Sequence, residues 1–152
     1  MTQPEEGRKA PAFSGIDQDE KTWTLADFRG RKLALYFYPQ DNTPTCTEQA
    51  CNLRDHYREL QKAGYAVLGV SPDSLEKHRN FIAKFKLPFP LISDPDLKII
   101  QRYHVWGEKQ MFGNRYMGLL RTTFVIDEKG IIRKIIRKPR VKQHADEILA
   151  SS

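Results

Sequence analysis

The chain is sparing with cysteine, having only Cys46 and Cys51 among 152 residues. It also lacks long apolar stretches. Its longest strongly apolar run, Leu33 to Tyr38, is six residues, against the roughly 20 needed to cross a bilayer. Met1 to Glu6 contain no apolar core of the kind that marks a secretory signal, so the cytosol is the expected compartment and no membrane partner is expected. Glycine-rich phosphate loops, His-Glu-x-x-His and Gly-x-Ser-x-Gly are all missing, so nucleotide, zinc-protease and serine-hydrolase chemistry find no support. His56, His78, His104 and His144 are scattered without metal-ligand spacing, and two cysteines alone do not complete a zinc site. No metal and no organic cofactor is expected.

What remains is an ordinary globular composition, 39% hydrophobic and 29% charged, without low-complexity tracts. Residues 1–152 show no linker or repeat and are expected to form one domain, long enough to bury its core without covalent staples. Thiols stay reduced in the cytosol, so the cysteine pair is either inert or redox-active. The net charge of +6 is concentrated in Arg133 to Lys142, which holds six Lys or Arg and no acid. A solvated strand face with its exit loop explains that run. No helix-turn-helix, zinc-finger or RNP pattern accompanies it, and no specific nucleic-acid binding is expected.

Lys32 to Tyr38 predicts a fully buried strand stopped by Pro39. A long helix should follow from Pro44 to Ala63, ending at Gly64. Ala66 to Val70 predicts a second buried strand, and Ser74 to Phe85 a second helix. Pro88 and Pro90 bracket a short extended segment before a third helix near Asp96 to Tyr103. Thr122 to Ile126 and Ile131 to Ile136 should form a hairpin around Asp127-Glu128-Lys129-Gly130. The second arm has apolar residues at a period of four, which also suits a helix; the turn and the β-branched isoleucines favour a strand. A last helix should run from Val141 to Leu149. This order is an α/β plan, a mixed central sheet with helices on both faces, and a thioredoxin-like topology fits it.

The segment that carries chemistry leaves the first buried strand and enters the long helix: Pro39-Gln40-Asp41-Asn42-Thr43-Pro44-Thr45-Cys46-Thr47-Glu48-Gln49-Ala50-Cys51. Thr43 is a candidate N-cap with Pro44 at the first helical position; Thr45 with Glu48 could instead form a capping box. Either way Cys46 falls in the first turn, where free N–H groups and the helix dipole favour a thiolate, the nucleophilic form of cysteine. Cys46, Ala50, Leu53, Tyr57 and Leu60 form one apolar stripe. A buried inert thiol would sit there equally well, and spacing leaves both readings open. Cys51 shares a face with Asp55, Arg58 and Lys62, an unusual place for a thiol without a task. His56 is ten residues beyond Cys46, about 15 Å along a helix, too far to serve as its base.

With these residues in view, the chain resembles the peroxiredoxins, most of all the bacterioferritin-comigratory-protein (PrxQ-type) branch. The likeness rests on Pro39, Thr43 and Cys46 in the spacing Pro-x-x-x-Thr-x-x-Cys, and on a second block from Val105-Trp106-Gly107-Glu108-Lys109 through Gly113, Gly118, Arg121, Thr123 and Phe124. It extends from about Gly7 to Leu149. Thr45 departs from it, standing where the branch often has glycine.

The resemblance implies a thioredoxin-like fold and a peroxidase that needs no cofactor. Cys46 would attack hydrogen peroxide or an organic hydroperoxide, and Cys51 would resolve the product as an intramolecular disulfide. Thioredoxin or a similar dithiol would reduce that bond, with the chain acting as a monomer. Thr43 would offer a hydroxyl to the peroxide, Arg121 a charged fork of donors, and Pro39 a wall against water. Taken alone, Arg121 reads better as a strand residue in a surface ion pair; the company of Pro39, Thr43 and Cys46 reverses that reading. Two rival readings are a thioredoxin-like disulfide oxidoreductase, which the lack of Cys-x-x-Cys disfavours, and a non-enzymatic redox sensor.

Overall fold

A computed structural model describes residues 3–151, without the side chain of Met111. Met1, Thr2 and Ser152 of the expected 1–152 domain and amino-terminal segment lie outside the described residues. Nine strands are formed among the described residues: β1 (Ser14–Asp17), β2 (Thr22–Thr24), β3 (Lys32–Phe37), β4 (Tyr65–Ser71), β5 (Leu91–Ser93), β6 (Trp106–Met111), β7 (Asn114–Leu119), β8 (Thr122–Ile126) and β9 (Ile132–Arg137). The α-helices are α1 (Pro44–Asp55), α2 (Tyr57–Lys62), α3 (Leu75–Phe85), α4 (Lys98–Arg102) and α5 (His144–Ala150). Seven strands make one mixed sheet in the order β2-β1-β5-β4-β3-β8-β9. β3 and β5 run parallel to β4, while β8 lies antiparallel to both β3 and β9.

β3 is an interior strand between β4 and β8, and its apolar run follows from burial on both faces. Leu33, Leu35 and Phe37 point to one side, where they pack with Ile99 and Ile100 of α4. Ala34, Tyr36 and Tyr38 point to the other, against Cys46, Ala50 and Leu53 of α1, Leu60 of α2, Phe81 of α3 and Ile148 of α5. Helices therefore cover both faces. Gly69 of β4 is required by packing, because a Cβ there would meet Leu91 Cδ2 at 2.7 Å and the Tyr36 ring at 3.0 Å.

The hairpin forms with its expected turn. Gly130 takes φ 82°, and Asp127 Oδ1 accepts the N–H groups of Lys129 and Ile131, both at 2.9 Å. The period of four in its second arm has a physical cause. Val125 pairs with Lys134 but Ile126 with Ile132, so Arg133 is an extra, bulged residue. The bulge lets Ile132 and Ile135 face one core while Ile136 faces the other.

Two expectations need correction. The helix over 44–63 is not continuous: His56 (φ −110°, ψ 16°) separates α1 from α2, and its ring Nδ1 bonds the Asn52 carbonyl at 2.9 Å. The last helix opens with a 3-10 turn over Val141–Gln143 before α5. Two hairpins went unforeseen, β1–β2 and β6–β7. The second turns at Phe112 and Gly113, both with positive φ. Glycines and charged residues break up its alternation, which hides it from a periodicity reading.

Candidate functional site

The loop leaving β3 delivers the chain to the start of α1. Thr43 is the N-cap residue, with extended backbone (φ −87°, ψ 157°), and Pro44 occupies the first helical position. The cap is made by the backbone: Thr43 C=O accepts Thr47 N–H at 2.8 Å. Its hydroxyl donates instead to Gln40 C=O at 3.3 Å. The helix therefore starts two residues too early for Thr45 and Glu48 to form the alternative capping box. The N–H groups of Thr45 and Cys46 precede the helical ladder and point out of the helix start.

Cys46 is buried, with 1% of its surface exposed. Arg121, just before β8, reaches it: Nη2 lies 3.1 Å from Sγ. The other arm of the same guanidinium, Nη1, donates to Gln49 Oε1 at 2.6 Å. Gln49 is fully buried one helical turn beyond Cys46. Its Nε2, and the buried Tyr36 hydroxyl, have no hydrogen-bond partner among the described residues. Burial pushes the Tyr36 phenol well above its ordinary value of 10, with Asp41 and Cys46 adding to the rise. It stays a neutral hydroxyl.

Beyond Arg121 an open cleft is lined by Thr45, Glu108, Lys109, Leu120 and Arg137. Lys109, on β6, is half-buried there. Burial lowers its ammonium from the ordinary lysine value, the Arg121 charge lowers it further, and the Cys46 sulfur opposes both. Lys109 and Glu108 of β6 line the cleft, which places the unforeseen β6–β7 hairpin beside it.

The structure brings Cys46 and Arg121 together, and keeps Thr43 three residues before the sulfur and Pro39 at the exit of β3. Pro39 and Thr43 are both half-buried. Cys51 is a free thiol, partly exposed, on the same unbroken helix as Cys46. Gln49 was not singled out from sequence. Its signal was legible, since a residue three positions after Cys46 shares its face of the helix. The six basic residues of Arg133 to Lys142 are all exposed, as a solvated strand face requires. No helix among the described residues is long and apolar enough to cross a membrane.

A charged fork aimed at a buried sulfur at a helix start suits attack by a thiolate on an electrophile whose departing atom gains negative charge. Comparison with known proteins agrees. The AhpC/TSA family model matches residues 7–135. Peroxiredoxin Bcp of Escherichia coli (strain K12) is 44% identical over 143 residues, 94% of this chain and 92% of that protein. Peroxiredoxin Bcp of Bacillus subtilis (strain 168) is 43% identical over 143 residues, covering 94% and 91%. Among solved structures, Peroxiredoxin Q of Xanthomonas campestris superposes with a TM-score of 0.85 at 37% identity, over 91% of this chain and 88% of that one. A cysteine-to-serine mutant of Xylella fastidiosa PrxQ gives 0.91 at 30% identity, over 99% and 96%. The chain belongs to the AhpC/TSA family, as a peroxiredoxin of the bacterioferritin comigratory protein type. Its sheet and helices are those of the thioredoxin-like fold.

Proposed function

We propose that the chain is a cytoplasmic, monomeric thiol peroxidase in which Cys46 reduces hydrogen peroxide and organic hydroperoxides. The Cys46 thiolate attacks one peroxide oxygen, the O–O bond breaks, and the other oxygen leaves as hydroxide or alkoxide and takes up a proton. Cys46 is left as a sulfenic acid. Arg121 holds a fixed positive charge beside the sulfur and beside the oxygen that gains charge. Gln49 aims that charge by accepting from the second guanidinium arm. Thr43 turns its hydroxyl from Gln40 to the peroxide, and Pro39, which has no N–H, walls the sulfur from water.

Cys51 then attacks the sulfenic sulfur, forming the Cys46–Cys51 disulfide and releasing water. An external dithiol, thioredoxin or a similar protein, returns both thiols by exchange. The observation that carries this reading is the 3.1 Å approach of Arg121 Nη2 to the buried Cys46 sulfur.

A thioredoxin-coupled NADPH assay with hydrogen peroxide and organic hydroperoxides tests it. Wild type should turn over, Cys46→Ser should not, and Cys51→Ser should stall after about one equivalent unless another thiol substitutes. Turnover by Cys46→Ser would remove the sulfur from the mechanism.

A further inference from the structure

One buried charged cluster takes no part in the chemistry above. Asp41, Asp73 and His78 are all buried, and their polar atoms lie within 4.8 Å of one another. Asp41 Oδ2 is 2.6 Å from His78 Nδ1, and Asp41 Oδ1 accepts the Tyr38 hydroxyl at 2.5 Å. The other ring nitrogen of His78 faces the Ile92 carbonyl oxygen at 3.0 Å. Asp73 Oδ2 accepts the Asp41 N–H at 2.7 Å and the Ser71 hydroxyl at 2.8 Å. Lys77 Nζ lies 3.9 Å from Asp73 Oδ1. Both Asp41 oxygens and both His78 nitrogens are thus engaged with protein atoms in one bonded network. His78 thus bridges the Asp41 carboxylate and the Ile92 carbonyl through its two ring nitrogens, in the interior.

The network ties together separate parts of the fold. Asp41 belongs to the loop that ends at the Thr43 cap of α1, His78 to α3, Ile92 to β5, and Asp73 to the segment between β4 and α3. The neighbouring loop side chains are held by weaker, exposed bonds: Asn42 Oδ1 accepts from Lys84 Nζ at 3.3 Å, and the Thr43 hydroxyl donates within the loop, to Gln40 C=O at 3.3 Å. Asp41 is therefore the point at which the loop is fastened to the body of the protein. Removing one partner of such a pair leaves the other buried and uncompensated, which favours an opened loop.

We propose that Asp41 and His78 are positioning residues that latch the Pro39–Thr43 loop against α3 and β5. Resting on the proposed function, the latch sets how a Cys46 sulfenic acid is divided between two fates. In the latched state Cys46 stays in its site, where a second hydroperoxide oxidises it to a sulfinic acid and leaves as an alcohol or water. In the opened state Cys46 meets Cys51, forms the disulfide and releases water. A weaker latch slows the first attack and protects against the second.

The test is the peroxide concentration at which half of Cys46 becomes sulfinic rather than disulfide-bonded, read by mass spectrometry, alongside the melting temperature. His78→Gln and Asp41→Asn should raise that concentration about tenfold or more, the effect of losing one hydrogen bond to a charged group. Ser71→Ala, which removes the hydroxyl that donates to Asp73 Oδ2 and accepts the Asp73 N–H without touching Asp41 or His78, should raise it less and covers the case in which the first two fail to fold. Ile148→Val, a core change on α5, should lower the melting temperature and leave the threshold unchanged. A threshold unmoved in the folded latch variants, or moved equally by Ile148→Val, would overturn the latch while leaving the peroxidase intact. A wild type that forms neither product at Cys46 would overturn both.

Discussion

Arg121 Nη2 lies 3.1 Å from the Cys46 sulfur, although 75 positions separate them in the chain. The contact depends on β8 lying antiparallel beside β3, since β3 ends opposite Thr122, next to Arg121, and the loop from β3 feeds α1. The guanidinium is fixed at both arms, by the sulfur and by Gln49. A cation fixed in this way is already oriented when the peroxide bond breaks.

Arg121→Ala should therefore slow peroxide attack at pH 7 by about a hundredfold to a thousandfold, the usual effect of deleting one preorganised donor to a developing oxyanion. Gln49→Leu keeps the volume but frees the guanidinium, and should slow attack less, on the order of tenfold. Stopped-flow fluorescence under pseudo-first-order peroxide reads both. An unchanged rate constant in Arg121→Ala would reduce the contact to packing.

The two cysteines make a second prediction, on the helix itself. Five residues of ideal helix separate Cα atoms by about 8.7 Å, beyond the roughly 7 Å that a disulfide tolerates. Both thiols are free here and α1 is unbroken between them. Forming the Cys46–Cys51 bond should unwind at least the first two turns of α1 and separate Arg121 from the sulfur. Amide exchange across Thr45 to Asp55 should be much faster in the disulfide form than in the dithiol form. Equal protection, with the bond confirmed by mass, would show that no unwinding is needed.

His144 should impose a pH limit on stability. It is fully buried, Nε2 accepting from the Thr123 hydroxyl at 2.8 Å and Nδ1–H donating to Glu147 Oε1 at 3.0 Å. Burial holds it below the ordinary histidine value of 6.5, with Glu147 pulling the other way. The unfolded chain therefore binds the proton more readily than the folded one. This contribution is fully present above about pH 6.5 and is lost as pH falls through the lowered folded value. Denaturant midpoints from pH 8 to pH 5 should fall more steeply in wild type than in His144→Gln. Parallel profiles would exclude His144 as the cause.

Much of this was legible in the sequence where one local rule dominated. The Leu33–Tyr38 run marked a strand buried on both faces, Gly130 marked the turn, and Pro44 marked the helix start. The helix break at His56 was not legible, because the apolar stripe continues through Tyr57 and Leu60 across it. The β6–β7 hairpin was hidden because only its Trp106 and Leu119 ends pack into the core. Arg121 could be named beside Cys46 only through family likeness, since nothing local links two residues joined by sheet pairing. The Asp41–His78 pair lay beyond reach for the same reason: 37 positions separate its members.

The central claim is that Cys46 is the atom that peroxide oxidises. Reduced Cys51→Ser protein should be mixed with one equivalent of hydrogen peroxide, trapped with dimedone and mapped by peptide mass spectrometry. The sulfenic adduct should appear on Cys46 and be absent when Cys46→Ser is added to the same chain. Sulfenic acid elsewhere, or peroxide consumed at the same rate without Cys46, would contradict the assignment.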